Sequence, residues 1–251
     1  MSTTGLVDFH CHLDLYPDHA AAVLECEREN VFALAVTTTP RAWPRNQELA
    51  APTRHVRAAL GLHPQLIADR AHEIALWEEL LPQTRYVGEV GLDASPRHYP
   101  SFERQKEVFQ RVLTACGTAG NKILTLHSLR ATKVVLDMIE KYMPPPRNRV
   151  VLHWFTGTAA EARRALDLGC YFSINTEMLA NEKRATIVRG IPFGRLLTET
   201  DGPFTTIDGR PARPSDVARA IDGLATLFGK SPADITATIM DNFKAALTEM
   251  A

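Results

Sequence analysis

A single (β/α)8 TIM barrel with an extra C-terminal helix is the fold class this sequence predicts. Two observations predict it. Short β-rich runs alternate with amphipathic stretches along the chain, and there are eight such runs, spaced by about the length of one βα unit. Strict alternation of strand and helix gives a parallel sheet, and eight units favour closure into a barrel over an open doubly wound sheet. The strands read as Leu6–Phe9, Phe32–Thr38, Val56–Gly61, Tyr86–Gly91, Ile123–His127, Val150–Phe155, Tyr171–Ile174 and Leu196–Thr200. Helices between them read as Asp18–Asn30, Ala71–Leu81, Ser101–Ala119, Ala131–Tyr142, Thr158–Leu168 and Asn181–Arg189. Periodicity is clearest in Phe102–Leu113, where Phe102, Val108, Phe109, Val112 and Leu113 share one side. Asp18 and Thr158 suit N-cap positions, and Pro144, Pro145 and Pro146 end the helix before the sixth strand. A last helix, Pro232–Thr248, is expected to pack outside the barrel.

The chain has 251 residues, 45% of them hydrophobic, which is enough for a substantial core. Nothing in it reads as a linker or a low-complexity tract, so residues 1–251 read as one domain. Lys and Arg total 28 against 29 for Asp and Glu, a formal net charge of −1. That balance argues against coating a long duplex by electrostatics, while leaving room for a local basic rim. Cys11, Cys26, Cys116 and Cys170 form no CxxC pair and no disulfide framework, so they read as reduced thiols. The first residues lack the basic and apolar regions of a signal peptide, and no apolar run is long enough to span a bilayer. A cytoplasmic protein without membrane association is the expectation.

In a barrel of this kind the C-terminal ends of the strands face one shared pocket. The first strand ends in His10-Cys11-His12, flanked by Asp8 and Asp14. Residues two apart on a strand share a face, so His10 and His12 can bind one ion while Cys11 points away. The third strand ends on His63, the fourth on Glu89 and the fifth on His127; His153 lies in the sixth, and Asp201 follows the eighth. A lone strand histidine is usually a hydrogen-bonded structural residue. Six residues of metal-ligand type, His10, His12, Glu89, His127, His153 and Asp201, converging from five strand ends, are a metal site. Imidazole and carboxylate donors without thiolate suit Zn²⁺, Mn²⁺, Fe²⁺ or Co²⁺, and Mg²⁺ where carboxylate and water dominate. Glu89, as a bridging carboxylate, would hold two ions about 3.5–4 Å apart, as in two-metal hydrolases. Asp201 could then take the proton of a shared water while also binding metal.

The motifs Val7-Asp8-Phe9-His10-Cys11-His12-Leu13-Asp14, Gly61-Leu62-His63-Pro64, Gly88-Glu89-Val90-Gly91-Leu92-Asp93 and Leu126-His127-Ser128 occur in that order. Leu152-His153-Trp154-Phe155-Thr156-Gly157, Leu197-Thr198-Glu199-Thr200-Asp201-Gly202-Pro203-Phe204 and Asn242-Phe243 follow. With these the sequence resembles the TatD family of metal-dependent deoxyribonucleases, amidohydrolase-like barrels, over nearly its whole length. The resemblance implies one hydrolase domain with two divalent ions, Mg, Mn or Zn. It implies that His10, His12, Glu89 and Asp201 hold one ion and that Glu89, His127 and His153 hold the other. His63 would sit beside the substrate phosphate, so Glu89, Asp201 and His63 are the expected catalytic residues. The implied activity is hydrolysis of DNA phosphodiesters, exonucleolytic on single-stranded or frayed 3′ ends, in DNA repair or turnover or in defence against foreign DNA. A related barrel hydrolase of small-molecule amides, esters or lactones is the alternative; its usual sign, a carboxylated lysine at the fourth strand, is replaced here by Glu89.

Two segments depart from the family. Ser128-Leu129-Arg130-Ala131 stands where Ser-Arg-Asp-Ala is usual, and Ala94-Ser95-Pro96-Arg97-His98-Tyr99 lacks the common tyrosine-rich form. Arg97, His98, Tyr99 and Arg130 are candidates for phosphate binding and base stacking, or ordinary solvated loop residues. Trp154 and Phe155 are suited either to stacking on a base or to the core. Glu199 either supports a ligand through a hydrogen bond or pairs with an arginine. The arginines 41, 45, 54 and 57 read as a solvated helix face.

Overall fold

We describe a computed structural model of residues 5–144 and 147–248, so Pro145 and Pro146 of the predicted helix stop lie outside it. The fold is the expected α/β barrel. Its strands are β1 (Leu6–Cys11), β2 (Val31–Val36), β3 (Val56–Ala59), β4 (Tyr86–Gly91), β5 (Ile123–His127), β6 (Arg149–His153), β7 (Tyr171–Ile174) and β8 (Leu196–Thr198). All pair in parallel with their neighbours in chain order, as β1–β2–β3 and as β4 through β8.

Two seams close these arcs into a ring. At the first, Leu60 bridges to Val87, and beyond the end of β3 the backbone of Thr37 pairs with Gly88 and Glu89 at 3.0 Å each. Gly61 lies inside this seam, where its N–H donates to Thr37 Oγ1 at 2.9 Å. A Cβ there would stand 1.7 Å from the Thr37 carbonyl oxygen and 2.6 Å from the Glu89 nitrogen. At the second seam, Thr198 Oγ1 donates to the Val7 carbonyl at 2.6 Å, Asp201 N–H to the His10 carbonyl at 2.9 Å, and His12 N–H to the Gly202 carbonyl at 2.8 Å. Both seams run along the residues expected to bind metal.

The helices are α1 (His19–Glu29), α2 (Trp43–Ala50), α3 (Ile67–Arg70), α4 (Ile74–Leu80), α5 (Phe102–Ala119), α6 (Thr132–Tyr142), α7 (Ala159–Asp167), α8 (Thr176–Ala180), α9 (Glu182–Arg189), α10 (Val217–Phe228) and α11 (Pro232–Leu247). Asp18 caps α1 through the Ala21 N–H, and Thr158 forms a reciprocal capping box with Glu161 on α7. On α5 the buried residues Gln105, Val108, Phe109, Val112 and Cys116 recur at helical spacing. The C-terminal helix α11 packs against β1 and β8.

The structure differs from the sequence reading in its helices and in some strand ends. The helices α2, α3, α8 and α10 lie beyond the predicted set. Pro44 occupies the first turn of α2, where its missing N–H costs nothing. In α10 Gly223 interrupts the pattern because Leu179 of α8 packs against it, 2.7 Å from where a Cβ would stand. Strands β2, β3, β6 and β8 also stop earlier than expected; after β6 Trp154 (φ 37°), and beyond β8 Asp201 (φ 54°), take left-handed backbone that cannot continue a ladder.

The seam generates a prediction. Gly61→Ala should cost on the order of 3 kcal/mol or more, because the methyl meets backbone rather than a movable side chain. Urea unfolding measures this; a midpoint equal to that of the parent protein would show that the seam can open.

Candidate metal centre

Glu89 is the hub. It projects from β4 into the C-terminal mouth of the barrel and is 2% exposed. Its two carboxylate oxygens face different imidazoles. Oε2 lies 3.4 Å from His10 Nε2 and 3.4 Å from His12 Nε2. Oε1 lies 2.7 Å from His127 Nδ1, 3.1 Å from His63 Nε2 and 3.6 Å from His153 Nε2. Asp201 joins the Oε2 side, its Oδ1 being 3.5 Å from His12 Nε2 and 3.7 Å from His10 Nε2. The six residues expected to be ligands therefore meet, and His63 meets them.

The donor set fits a metal. His10 Nε2, His12 Nε2 and Asp201 Oδ1 are buried and lack a hydrogen-bond partner among the described residues, yet converge on one point. Polar atoms are rarely left so without a ligand. Around them, hydrogen bonds fix which ring nitrogen is free. His153 Nδ1 faces Glu199 at 3.1 Å, so it donates there and its Nε2 keeps a lone pair for the centre. His10 Nδ1 meets Thr125 Oγ1 at 2.8 Å, and with that hydroxyl accepting, Nε2 is free for the centre. His127 Nε2 lies 3.0 Å from Asp93 Oδ2, so Nδ1 is its coordinating atom. His63 behaves oppositely: its Nδ1 accepts the Gln65 N–H at 3.1 Å, so as a neutral ring it carries its proton on Nε2. That nitrogen is a donor toward the pocket.

Support residues hold these rings; Asp93 had no role in the sequence reading, and Glu199 takes the ligand-supporting one of its two expected roles. Asp93 accepts from Gln65 Nε2 at 2.7 Å and from Ser95 N–H at 2.8 Å as well as facing His127. Its signal was its place four residues after Glu89, at the end of Gly88–Asp93. Glu199 supports His153 rather than pairing with an arginine, and it accepts from Trp154 N–H at 3.0 Å, Asn175 Nδ2 at 2.9 Å and the Ser173 hydroxyl. Asp8, fully buried, accepts from Thr200 N–H and Oγ1 at 2.9 and 2.5 Å and so braces the loop that carries Asp201. Burial pushes the Asp8 carboxyl up to about 7 against those hydrogen bonds.

Above the centre opens a cavity of about 500 Å³. Trp154 lines it, as do Leu66, Leu129, Phe204 and Arg184. Arg97, Tyr99 and Arg130 do not. Tyr99 stacks on Phe102 at 5.6 Å beside α5, Arg97 is exposed, and Arg130, with φ 54°, sits exposed at the turn into α6. Phe155 is buried against Phe172 in the core. Arg184 and Phe204 are the wall residues that sequence reasoning missed, since neither belongs to a local ligand pattern.

A family model described as TatD related DNase matches residues 7–248. The chain belongs to this family. A curated relative in Escherichia coli K12, the uncharacterized metal-dependent hydrolase YjjV, is 30% identical over 94% of this chain and 95% of its own length. The crystal structure of YjjV, a TatD homolog, matches with a TM-score of 0.86 and 25% identity over 96% of this chain and 97% of that one. The deoxyribonuclease Tat-D of Schizosaccharomyces pombe is 35% identical over 48% of this chain, which spans only 38% of that relative. The chain is thus a TatD-type hydrolase that uses divalent metal. Among the described residues no helix is long and apolar enough to cross a membrane.

Electrostatics of the metal-free centre give a second prediction. Burial pulls the rings of His12, His127 and His153 down, but facing carboxylates reverse this. Asp201 and Glu89 raise His12 to about 9, Asp93 and Glu89 raise His127 to about 9, and Glu199 and Asp201 raise His153 to about 10. At pH 7 these rings hold protons that an ion must displace. Metal uptake at pH 7 should therefore release protons, and affinity should fall as pH drops. Titration calorimetry in buffers of different ionisation enthalpy reads the release; uptake with no proton exchange would contradict it.

Proposed function

We propose that this chain hydrolyses DNA phosphodiesters at a two-ion centre, working from single-stranded or frayed 3′ ends. The observation that carries the reading is the division of Glu89: His10 and His12 face one oxygen, with Asp201 beside these two rings, and His63, His127 and His153 face the other. His10, His12, Glu89 and Asp201 would hold one divalent ion, and Glu89, His127 and His153 the other. Bound ions of this class polarise a phosphoryl oxygen and make water nucleophilic at neutral pH.

The protein's own groups do the rest. Burial opposes ionisation of Asp201, but His12, His153 and His10 hold its carboxyl below the ordinary range. It is therefore a carboxylate able to take the proton of the attacking water. The water oxygen bonds to phosphorus, the bond to the leaving 3′ oxygen breaks, and that oxygen takes up a proton. His63 Nε2–H, which faces Glu89 Oε1 at 3.1 Å, would turn to donate to a phosphate oxygen. Trp154 and Phe204 offer the terminal base an aromatic wall. A duplex is too wide and stiff to bring its phosphates down to this centre, whereas one frayed strand can thread in. The named deoxyribonuclease among the relatives supports DNA as the substrate.

An amide, ester or lactone hydrolase would use the same fold. The usual carboxylated lysine has no counterpart at this centre. Lys122, the buried lysine among the described residues, donates instead to the Leu81 and Thr84 carbonyls.

Glu89→Gln should lower turnover by more than the roughly hundredfold that loss of an outer hydrogen bond costs a metal site, and should lower metal content. Full activity in this variant would sink the bridging role. With the parent enzyme, linear single strands should shorten stepwise from a 3′ end while circular single-stranded DNA stays whole. Rapid cutting of the circle would exclude the end-dependent mode.

A further inference from the structure

We infer that Arg184 is a specificity-determining residue that grips a second phosphate, one nucleotide away from the group being cleaved. The inference rests on the phosphodiesterase reading and deepens it.

Arg184 lies in the first turn of α9 and is the one lysine or arginine among the residues lining the cavity. Its guanidinium has no carboxylate within 4 Å among the described residues. Arg164 binds Asp137 and Glu140, and Arg210 binds Asp216 in a two-pronged pair, whereas Arg97 and Arg130 stand exposed outside the cavity. Arg184 is half-buried and lines the same cavity as Leu66, Leu129 and Phe204, with no ion pair there among the described residues. An incoming anion would supply one, and a planar fork suits phosphate.

The scissile group does not need it, because the centre supplies positive charge there. What lies beyond the centre is the next phosphate along a strand. The support of Arg184 fits this role. Asn181 caps α9 by accepting the Arg184 N–H at 3.1 Å. Just before it, Asn175 caps α8 through the Met178 N–H at 3.1 Å while its Nδ2 donates to Glu199 at 2.9 Å. Glu199 is the carboxylate that orients His153. The backbone of Arg184 is thus held by a cap on α9, and α8 just before it is capped by the asparagine that bonds Glu199.

The test is binding, so it does not depend on turnover. Metal-loaded protein is titrated with thymidine 5′-monophosphate and with thymidine 3′,5′-bisphosphate. The parent protein should bind the bisphosphate more tightly, and Arg184→Ala should remove roughly ten- to a hundredfold of that preference, the worth of a charge-assisted hydrogen bond. Arg184→Lys, which keeps the charge, should recover part of it. Unfolding midpoints of both variants check that the fold is intact. Equal affinity for the two ligands in the parent protein, or an equal loss on both in Arg184→Ala, overturns the inference. The phosphodiesterase reading fails separately, if the parent protein cleaves no oligonucleotide while the bisphosphate preference still depends on Arg184.

Discussion

A carboxylate buried among five imidazoles is the arrangement on which this structure depends. Glu89 would be costly to bury alone, and burial does oppose its ionisation. The surrounding rings of His63, His10 and His12 outweigh that cost and hold it well below the usual carboxylate range. The imidazoles are in turn kept in place by Glu89. Neither set is stable in this position without the other, and the two barrel seams are what bring them together. Thr37 pairs with the backbone of Glu89 on one side, while the carbonyl of His10 fixes Asp201 on the other.

A second layer turns this cluster from a set of neighbours into a set of ligands. An imidazole offers metal a lone pair from one nitrogen only if its proton stays on the other. Glu199, Thr125 and Asp93 each take that proton's hydrogen bond, from His153, His10 and His127 in turn. Gln65 does the reverse to His63, giving it a proton to donate. The division between ligands and a substrate-facing donor is thus written in backbone and carboxylate contacts, not in the histidines themselves.

The ligands were legible in the sequence, and so was Glu199 as a candidate support, but its partner and the roles of Asp93, Thr125 and Asn175 were not, for a physical reason. His10 and His12 announce themselves because a strand repeats every two residues, and Glu89, His127 and His153 because each closes a β-rich run. Glu199 and His153 are 46 residues apart, and Asn175 is 24 from Glu199, so their contacts arise only once the ring has closed. Arg184 carries no local signal, since an arginine on a short polar helix reads as solvated. The strand ends were misplaced at Trp154 and Asp201, where the chain leaves the ladder in left-handed backbone. Such positions gather at functional sites, held there by bonds such as Trp154 N–H to Glu199. The missed α10 has the same kind of cause, because Gly223 is chosen by the approach of Leu179 and not by helix propensity.

The suspension of α8 and α9 from Asn175 has a consequence for how such a protein can diverge. The ions' ligands sit on strands locked into seams, where even a methyl at Gly61 has no room. Residues 176–189 are tied to that rigid floor by a capping asparagine, pack on α10 and bring Arg184 to the cavity. Drift along this short helical pair can therefore alter which molecules enter without touching the chemistry performed on them. Reactivity and admission are inherited on separate parts of the chain, and a lineage can keep the first for long periods while repeatedly reinventing the second.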